Sequence, residues 1–247
     1  FSRSGSASIS EIAALMASGI YYQQKAEQLK QLINEKYFNT ETGVYANGTQ
    51  TAQAIALYMD IVPAGKEQLV AEQLHKAVTG NNYFLNFGLL GSKTVPAMLT
   101  KFGYVEDAYK MITKTEAPSW GYWVETKGYT TLAETWLLSP EFHDASLNHV
   151  FMGDVSAWMY NTLAGINLDA EHPGFGHIII RPHFIDQLDW VSGSYQSVRG
   201  LIRSEWKREN GRIKLTVTIP ANTTATIHAD KVYTVGSGTY HYMIKCD

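Results

Sequence analysis

From Ser8 to Gly165 the apolar residues recur at helical spacing, and after Pro173 they alternate as in strands. The first long segment, "EIAALMASGIYYQQKAEQLKQLINEKYF", sets Ile12, Leu15, Met16, Ile20, Leu29, Leu32 and Ile33 on helix-like positions. "TQTAQAIALYMDI" follows and is punctuated by Pro63. Further helices are predicted over "KEQLVAEQLHKAV", "KTVPAMLTKFG", "YVEDAYKMIT", the segment "GYTTLAETW" (128 to 136) and "SLNHVFMGDVSAWMYNTLAGI". Short Gly, Asn or Pro breaks separate most of them, which predicts helical hairpins stacked in series. No capping element precedes the first helix, so the chain reads as opening within a running array, as a segment of a longer polypeptide would.

The strand-like runs are "HIIIRP", "GLIRSEWKREN", "RIKLTVTIP" and "TTATIHA". "ENGR" at 209 to 212 is a hairpin turn, because Asn-Gly accepts the positive φ of a type I′ turn. The pattern predicts two packed units, helical over 1–174 and a small antiparallel β-sandwich over 175–247, jointed at "HPGFG".

Composition narrows the function by exclusion. The 247 residues are 45% hydrophobic and 17% charged, enough for one large core or two smaller ones. A balance of 20 basic against 23 acidic residues, without a basic run, argues against nucleic acid as a partner. No apolar stretch reaches the roughly 20 residues of a membrane span. "FSRSGSASIS" lacks the apolar region of a signal peptide. The single cysteine, Cys246, permits neither an internal disulfide nor a cysteine metal cluster.

Glu134 is the most informative charge. It is the only strong acid or base between Gly128 and Pro140, flanked by Leu132, Ala133, Trp136, Leu137 and Leu138. Burying a lone carboxylate costs several kcal/mol unless it is paired, hydrogen-bonded or used. On a helix, Thr130 and Thr131 would lie one turn before it and orient it; the plainer reading leaves Glu134 at a solvent edge. His149 is either a satisfied structural histidine or, beside a carboxylate, a donor to a substrate hydroxyl. Trp120, Trp123 and Trp136 lie near in sequence, and tryptophan beside an acid suits a sugar ring, although core packing serves any one of them as well.

Other chemistry is not indicated. There is no Walker loop, no dinucleotide fingerprint, no H-E-x-x-H and no G-x-S-x-G. His172, His177 and His183 have no accompanying acidic cluster in a ligand pattern, so no metal site is expected. Glu106 and Asp107 are expected on a solvated helix face with Lys101 and Lys110.

Taken together, "GTQTAQAIALYMDIVP" (48 to 63), "APSWGYWVETKGYTTLAETW" (117 to 136), "SLNHVFMGDVSAWMYNTLAGI" (146 to 166) and "PGFGHIIIRP" (173 to 182) resemble the C-terminal half of the α-L-rhamnosidases of glycoside hydrolase family 78. "GLIRSEW" and "LTVTIPANTTATI" resemble that family's C-terminal β-domain. The resemblance implies the second half of an (α/α)6 barrel followed by a β-sandwich. It implies inverting hydrolysis of terminal α-L-rhamnosyl bonds by two carboxyl groups, with Glu134 in T-T-x-x-E-x-W as general base and His149 on the bound sugar. Trp120, Trp123, Trp136 and Thr130 are the further expected substrate contacts. A carbohydrate substrate and the preceding half of the polypeptide are the implied partners, and no cofactor is needed. The general acid is expected in that preceding half, so this chain alone would be inactive. Family members acting on polysaccharides imply export, to the periplasm or outside the cell.

Two positions depart from the family pattern. Ala133 and Thr135 stand where Trp and Arg are common. The loss of a neighbouring cation would raise the carboxylate's pKa, and Ala133 is expected to widen the pocket. The alternatives are therefore an inverting (α/α)6 hydrolase for another sugar, a carbohydrate-binding relative that has lost turnover, and a scaffold for a partner protein.

Overall fold

A computed structural model describes residues 9–137 and 145–245, with the side chain of Met16 and those from Ser18 onward. Cys246 and the stretch from Leu138 to Pro140 lie outside the described residues. Helix α1, Ile9–Tyr37, leads into a two-residue-per-strand hairpin, β1 Phe38–Asn39 and β2 Val44–Tyr45. Then come α2 Gln50–Tyr58, α3 Glu67–Thr79, α4 Leu89–Lys101 and α5 Val105–Thr113. Thr49 caps α2 by accepting the Ala52 N–H.

Helices α2 to α5 each bury an apolar stripe. On α3 the buried residues are Val70, Ala71, Leu74 and Val78, and on α5 they include Ala108, Met111 and Ile112. Burying such an aliphatic side chain contributes about 1.5–3 kcal/mol, so these stripes fix which faces meet. Helix α2 packs on α3 and α4, and α4 on α5. Helix α1 differs: Met16, Ile20, Leu29 and Leu32 are exposed, and Ile33 is partly buried against the core. Among the described residues the helices do not close into a barrel.

Two buried glutamines of α2 organise the surrounding loops. Gln53 accepts the Tyr45 N–H at 2.7 Å and donates to the Gly43 carbonyl at 3.2 Å. Gln50 accepts the Asn86 N–H at 2.9 Å and donates to the Phe84 carbonyl at 3.0 Å. An amide buried with donor and acceptor both satisfied costs little, and here it anchors the segment that ends at Phe87.

Beyond α5 the helical regularity loosens. A single π-turn spans Tyr122–Thr126, and a 3-10 turn at Val150–Gly153 runs into α6, Asp154–Trp158, and a second π-turn, Met159–Leu163. The continuous helix expected over 146–166 is therefore confined to 150–163. Gly121 admits no side chain there, because a Cβ would meet the Lys114 carbonyl oxygen at 2.5 Å.

The β module has two four-stranded sheets. One has the order β10-β7-β6-β5, built from β5 Trp190–Ser197, β6 Gly200–Glu209, β7 Arg212–Ile219 and β10 Gly238–Lys245, all antiparallel. The other has the order β3-β4-β8-β9, built from β3 Ile166–Leu168, β4 His177–Ile180, β8 Thr224–His228 and β9 Val232–Val235. Within it β4 and β8 run parallel and the other pairs antiparallel. Inward-facing Ile178, Ile180, Ile202, Trp206, Leu215, Val217 and Ile227 form the core between the sheets. Asn210 and Gly211 both have positive φ, 52° and 71°, in the turn joining β6 to β7.

Strand β3 precedes the expected joint at 174–175 yet pairs with β4, so the β module begins at Ile166. Gly165 marks the change: its φ is +72°, and a Cβ would meet the Pro182 nitrogen at 2.1 Å. The two modules are clasped by Trp206 Nε1 donating to the Leu163 carbonyl, the His183 N–H donating to the Thr162 carbonyl, and the Asp186 N–H donating to Glu106 Oε1.

Candidate functional site

Glu134 sits on a loop, not on a helix. After Gly128, at φ +64°, the chain runs through turns and bends to residue 137. Two consecutive β-branched threonines disfavour helix here. The decisive factor is long-range pairing with residues 146–149. The Glu134 N–H donates to the Ser146 carbonyl at 2.8 Å, and the His149 N–H donates to the Leu132 carbonyl at 2.8 Å. Thr131 Oγ1 donates to the Leu147 carbonyl.

This pairing replaces the expected threonine support. Among the described residues, neither Thr130 nor Thr131 hydrogen-bonds Glu134; Thr130 is exposed. Instead the Ser146 N–H donates to Glu134 Oε2 at 3.0 Å, and His149 Nδ1 lies 3.9 Å from the same oxygen. The Glu134 side chain is 41% exposed and that of His149 is 21% exposed. His149 Nε2 is buried with no hydrogen-bond partner among the described residues, and the ring leans on Phe151 with centroids 5.6 Å apart. An orphaned buried nitrogen costs about 1–3 kcal/mol.

The three tryptophans hold this loop from behind. Trp136 stacks on Trp123 at 4.6 Å and meets Trp120 edge-on at 5.0 Å, with Phe87 closing the cluster. Trp123 Nε1 donates to the Trp136 carbonyl at 3.1 Å, Trp120 Nε1 to the Met152 carbonyl at 3.1 Å, and Trp136 Nε1 to the Phe87 carbonyl. Trp120 and Trp123 are buried, 3% and 0% exposed, so neither offers a face to a sugar; both belong to the core. Trp136 is half-buried. Burial in this chain persists whatever else packs on it. Trp123 and Trp120 thus fix carbonyls two residues after Glu134 and three after His149, and Trp136 ties the loop to Phe87.

Ala133 is fully buried in the helical core, so it does not widen an open pocket. Thr135 Oγ1 donates to the Leu137 carbonyl at 3.3 Å. The solvated face expected at Glu106 and Asp107 is also corrected. Asp107 is buried and lies 2.6 Å from His75 Nδ1, while Glu106 Oε2 is buried without a partner among the described residues. His172 contacts Asp169 at 2.8 Å, whose carboxyl is held below its usual range by that hydrogen bond and by the Glu171 N–H. His177 lies between the hydroxyls of Thr224 and Thr226. Among the described residues no three His, Cys, Asp or Glu side chains are grouped to hold a metal ion, and no helix is long and apolar enough to cross a membrane.

Stacked helical hairpins that end in a loop-borne carboxylate, followed by an all-β module, define a six-hairpin glycosidase type of protein. The sequence profile of the bacterial alpha-L-rhamnosidase 6 hairpin glycosidase domain matches residues 4–163, and that of the bacterial alpha-L-rhamnosidase C-terminal domain matches residues 165–239. The chain belongs to the bacterial α-L-rhamnosidase six-hairpin family. It is 28% identical over 231 residues to an alpha-L-rhamnosidase of Streptomyces avermitilis, covering 82% of this chain and 22% of that protein. It is 28% identical over 225 residues to one from Alteromonas sp. strain LOR, covering 88% of this chain and 24% of that protein. The crystal structure of an Aspergillus terreus α-L-rhamnosidase superimposes with a TM-score of 0.86 at 27% identity, over 95% of this chain and 28% of that one. The Streptomyces avermitilis enzyme complexed with L-rhamnose gives 0.84 at 27% identity, over 94% and 25%. The chain thus spans about a quarter of the length of these relatives.

Proposed function

We propose that the intact protein is a glycoside hydrolase that cleaves terminal α-L-rhamnosyl linkages with inversion, and that Glu134 is its general base. The observation that carries this is a carboxylate with one oxygen fixed by the Ser146 N–H and the other free among the described residues, beside a histidine whose Nε2 is unpartnered. The main-chain N–H holds one carboxylate oxygen in place and leaves the other for a water. Glu134 Oε1 takes the proton of a water as that water attacks the anomeric carbon from the face opposite the aglycone. The leaving oxygen takes a proton from an acid that the rest of the polypeptide supplies, about 6.5–9.5 Å from the base in an inverting site. His149 Nε2 meets a sugar hydroxyl, with Thr130 and the open edge of Trp136 at the rim. The exposed apolar face of α1 is covered by the preceding half of the barrel.

The test is hydrolysis of an aryl α-L-rhamnoside by the intact protein, with the first-formed anomer read by NMR. β-L-rhamnose appearing first supports the reading. α-L-rhamnose first contradicts inversion, and no hydrolysis of any rhamnoside contradicts the substrate.

A further inference from the structure

Away from Glu134, a cleft of 590 Å³ separates the helical unit from the β module. Its helical wall carries Lys93 and Lys101 of α4, and its β wall carries Arg181 and His183, just beyond β4. Ligand sites favour such junctions, and the volume is that of a drug-sized or oligosaccharide-sized guest.

The cleft is net positive: Lys93, Lys101 and Arg181 share its walls with one carboxylate, Asp154. Among the described residues no carboxylate lies within ion-pair distance of Arg181; its guanidinium instead donates to His228 Nε2 at 2.9 Å. His228 and His183 both have pKa values pushed down, first by burial and then by the charge of Arg181. Lys93 is 3.9 Å from Asp154, and Lys101 is 4.0 Å from Asp60. Both are loose ion pairs, longer than the roughly 2.7–2.9 Å of a close charge-assisted hydrogen bond. The Asn161 amide also lines the cleft and is a group that pairs with neutral hydroxyls, while Asn167 Nδ2, on the same wall, already donates to the Asn161 and Gly165 carbonyls.

We infer that this cleft binds a carboxylate-bearing sugar, a uronate residue of a glycan, with Arg181 as the fork on the carboxylate and Lys93 and Lys101 flanking it. A planar guanidinium with no acidic partner among the described residues matches a carboxylate bidentately, and the Asn161 amide beside it matches a hydroxylated ring. The choice of a sugar acid over other anions rests on the glycosidase reading; the anion site itself rests only on the cleft.

The experiment is calorimetric titration of the intact protein with trigalacturonic acid, its methyl ester and orthophosphate, alongside Arg181→Gln, Lys93→Gln and a control, Lys214→Gln, on the outer face of the other sheet. Rhamnoside hydrolysis is assayed separately on the same preparations. The expected result is saturable binding of the acid, about tenfold weaker binding of the ester and about tenfold weaker binding of the acid by Arg181→Gln and Lys93→Gln, with Lys214→Gln unchanged. Lys93 lies on the other module, so its variant keeps the test valid if Arg181→Gln unfolds. No binding of the acid, equal binding of acid and ester, or affinity untouched by both cleft variants overturns the site. Phosphate binding as tight as the acid overturns the sugar assignment. Binding without hydrolysis counts against the rhamnosidase reading and leaves this one standing.

Discussion

Glu134 and Ser146 hold each other twice: the Glu134 N–H donates to the Ser146 carbonyl at 2.8 Å, and the Ser146 N–H returns to Glu134 Oε2 at 3.0 Å. The reciprocal pair fixes both the backbone position and the rotamer of the carboxylate. Such pre-set geometry is what a base aimed at one water requires.

His149 gives a prediction in which stability and activity part. Because its Nε2 is buried and has no partner among the described residues, replacing the ring by an apolar group of similar size is expected to remove a penalty of about 1–3 kcal/mol. His149→Leu is expected to leave the unfolding temperature unchanged or raised, while KM for an aryl rhamnoside rises by about tenfold or more. A fall in stability with unchanged KM would assign the residue to the core.

Trp136→Phe tests the tryptophan cluster as a support for the loop. The ring face remains, but the Phe87 carbonyl loses its donor. A loss of about 1–3 kcal/mol in chemical denaturation is expected, with kcat reduced more than KM, since the loop that carries Glu134 loosens while the sugar contacts persist.

Glu106 clasps the two modules through the Asp186 N–H. Glu106→Gln keeps the acceptor and removes a buried charge, so stability should hold or rise. Glu106→Ala strands the N–H and should cost about 1–3 kcal/mol in urea denaturation.

Tyr45 sets an alkaline limit. Burial raises its hydroxyl from the ordinary 10.0 to about 12. The folded state therefore holds the proton more tightly than the unfolded state. The associated stability is complete below pH 10 and is lost as pH rises from there through about 12. Tyr45→Phe should flatten the fall of the unfolding temperature over that range, although it also loses the hydrogen bond to Asn34.

The parts of the fold that depend on local periodicity were legible in the sequence. Helices α2, α3 and α5 follow their apolar stripes, and the Asn210–Gly211 turn follows from its residue types. Strand β5 was not legible, because "WVSGSYQS" interrupts alternation with Gly193, which is there to pass Ala164 closely: a Cβ would meet that alanine's Cβ at 2.5 Å. The site shows the same division. Glu134 stood out as an isolated charge, and His149 as its companion. The loop that presents them depends on pairing across a dozen residues, which neighbouring residue types do not encode, so the segment read as a helix. For the same reason the tryptophans were recognisable as part of the site, but not that Trp120 and Trp123 face inward. Gln50 and Gln53 gave no signal, since an amide declares its role only when its distant partners are known.

The most direct measurement is hydrolysis of an aryl α-L-rhamnoside by the intact protein and by Glu134→Gln, without and with sodium azide. Azide attacks without having to lose a proton, so it needs no base. The account predicts that the variant folds, loses activity by about 10²-fold or more, and regains turnover in azide as the β-rhamnosyl azide, the inverted product. Near-normal hydrolysis by Glu134→Gln would contradict the assignment of Glu134 as the base.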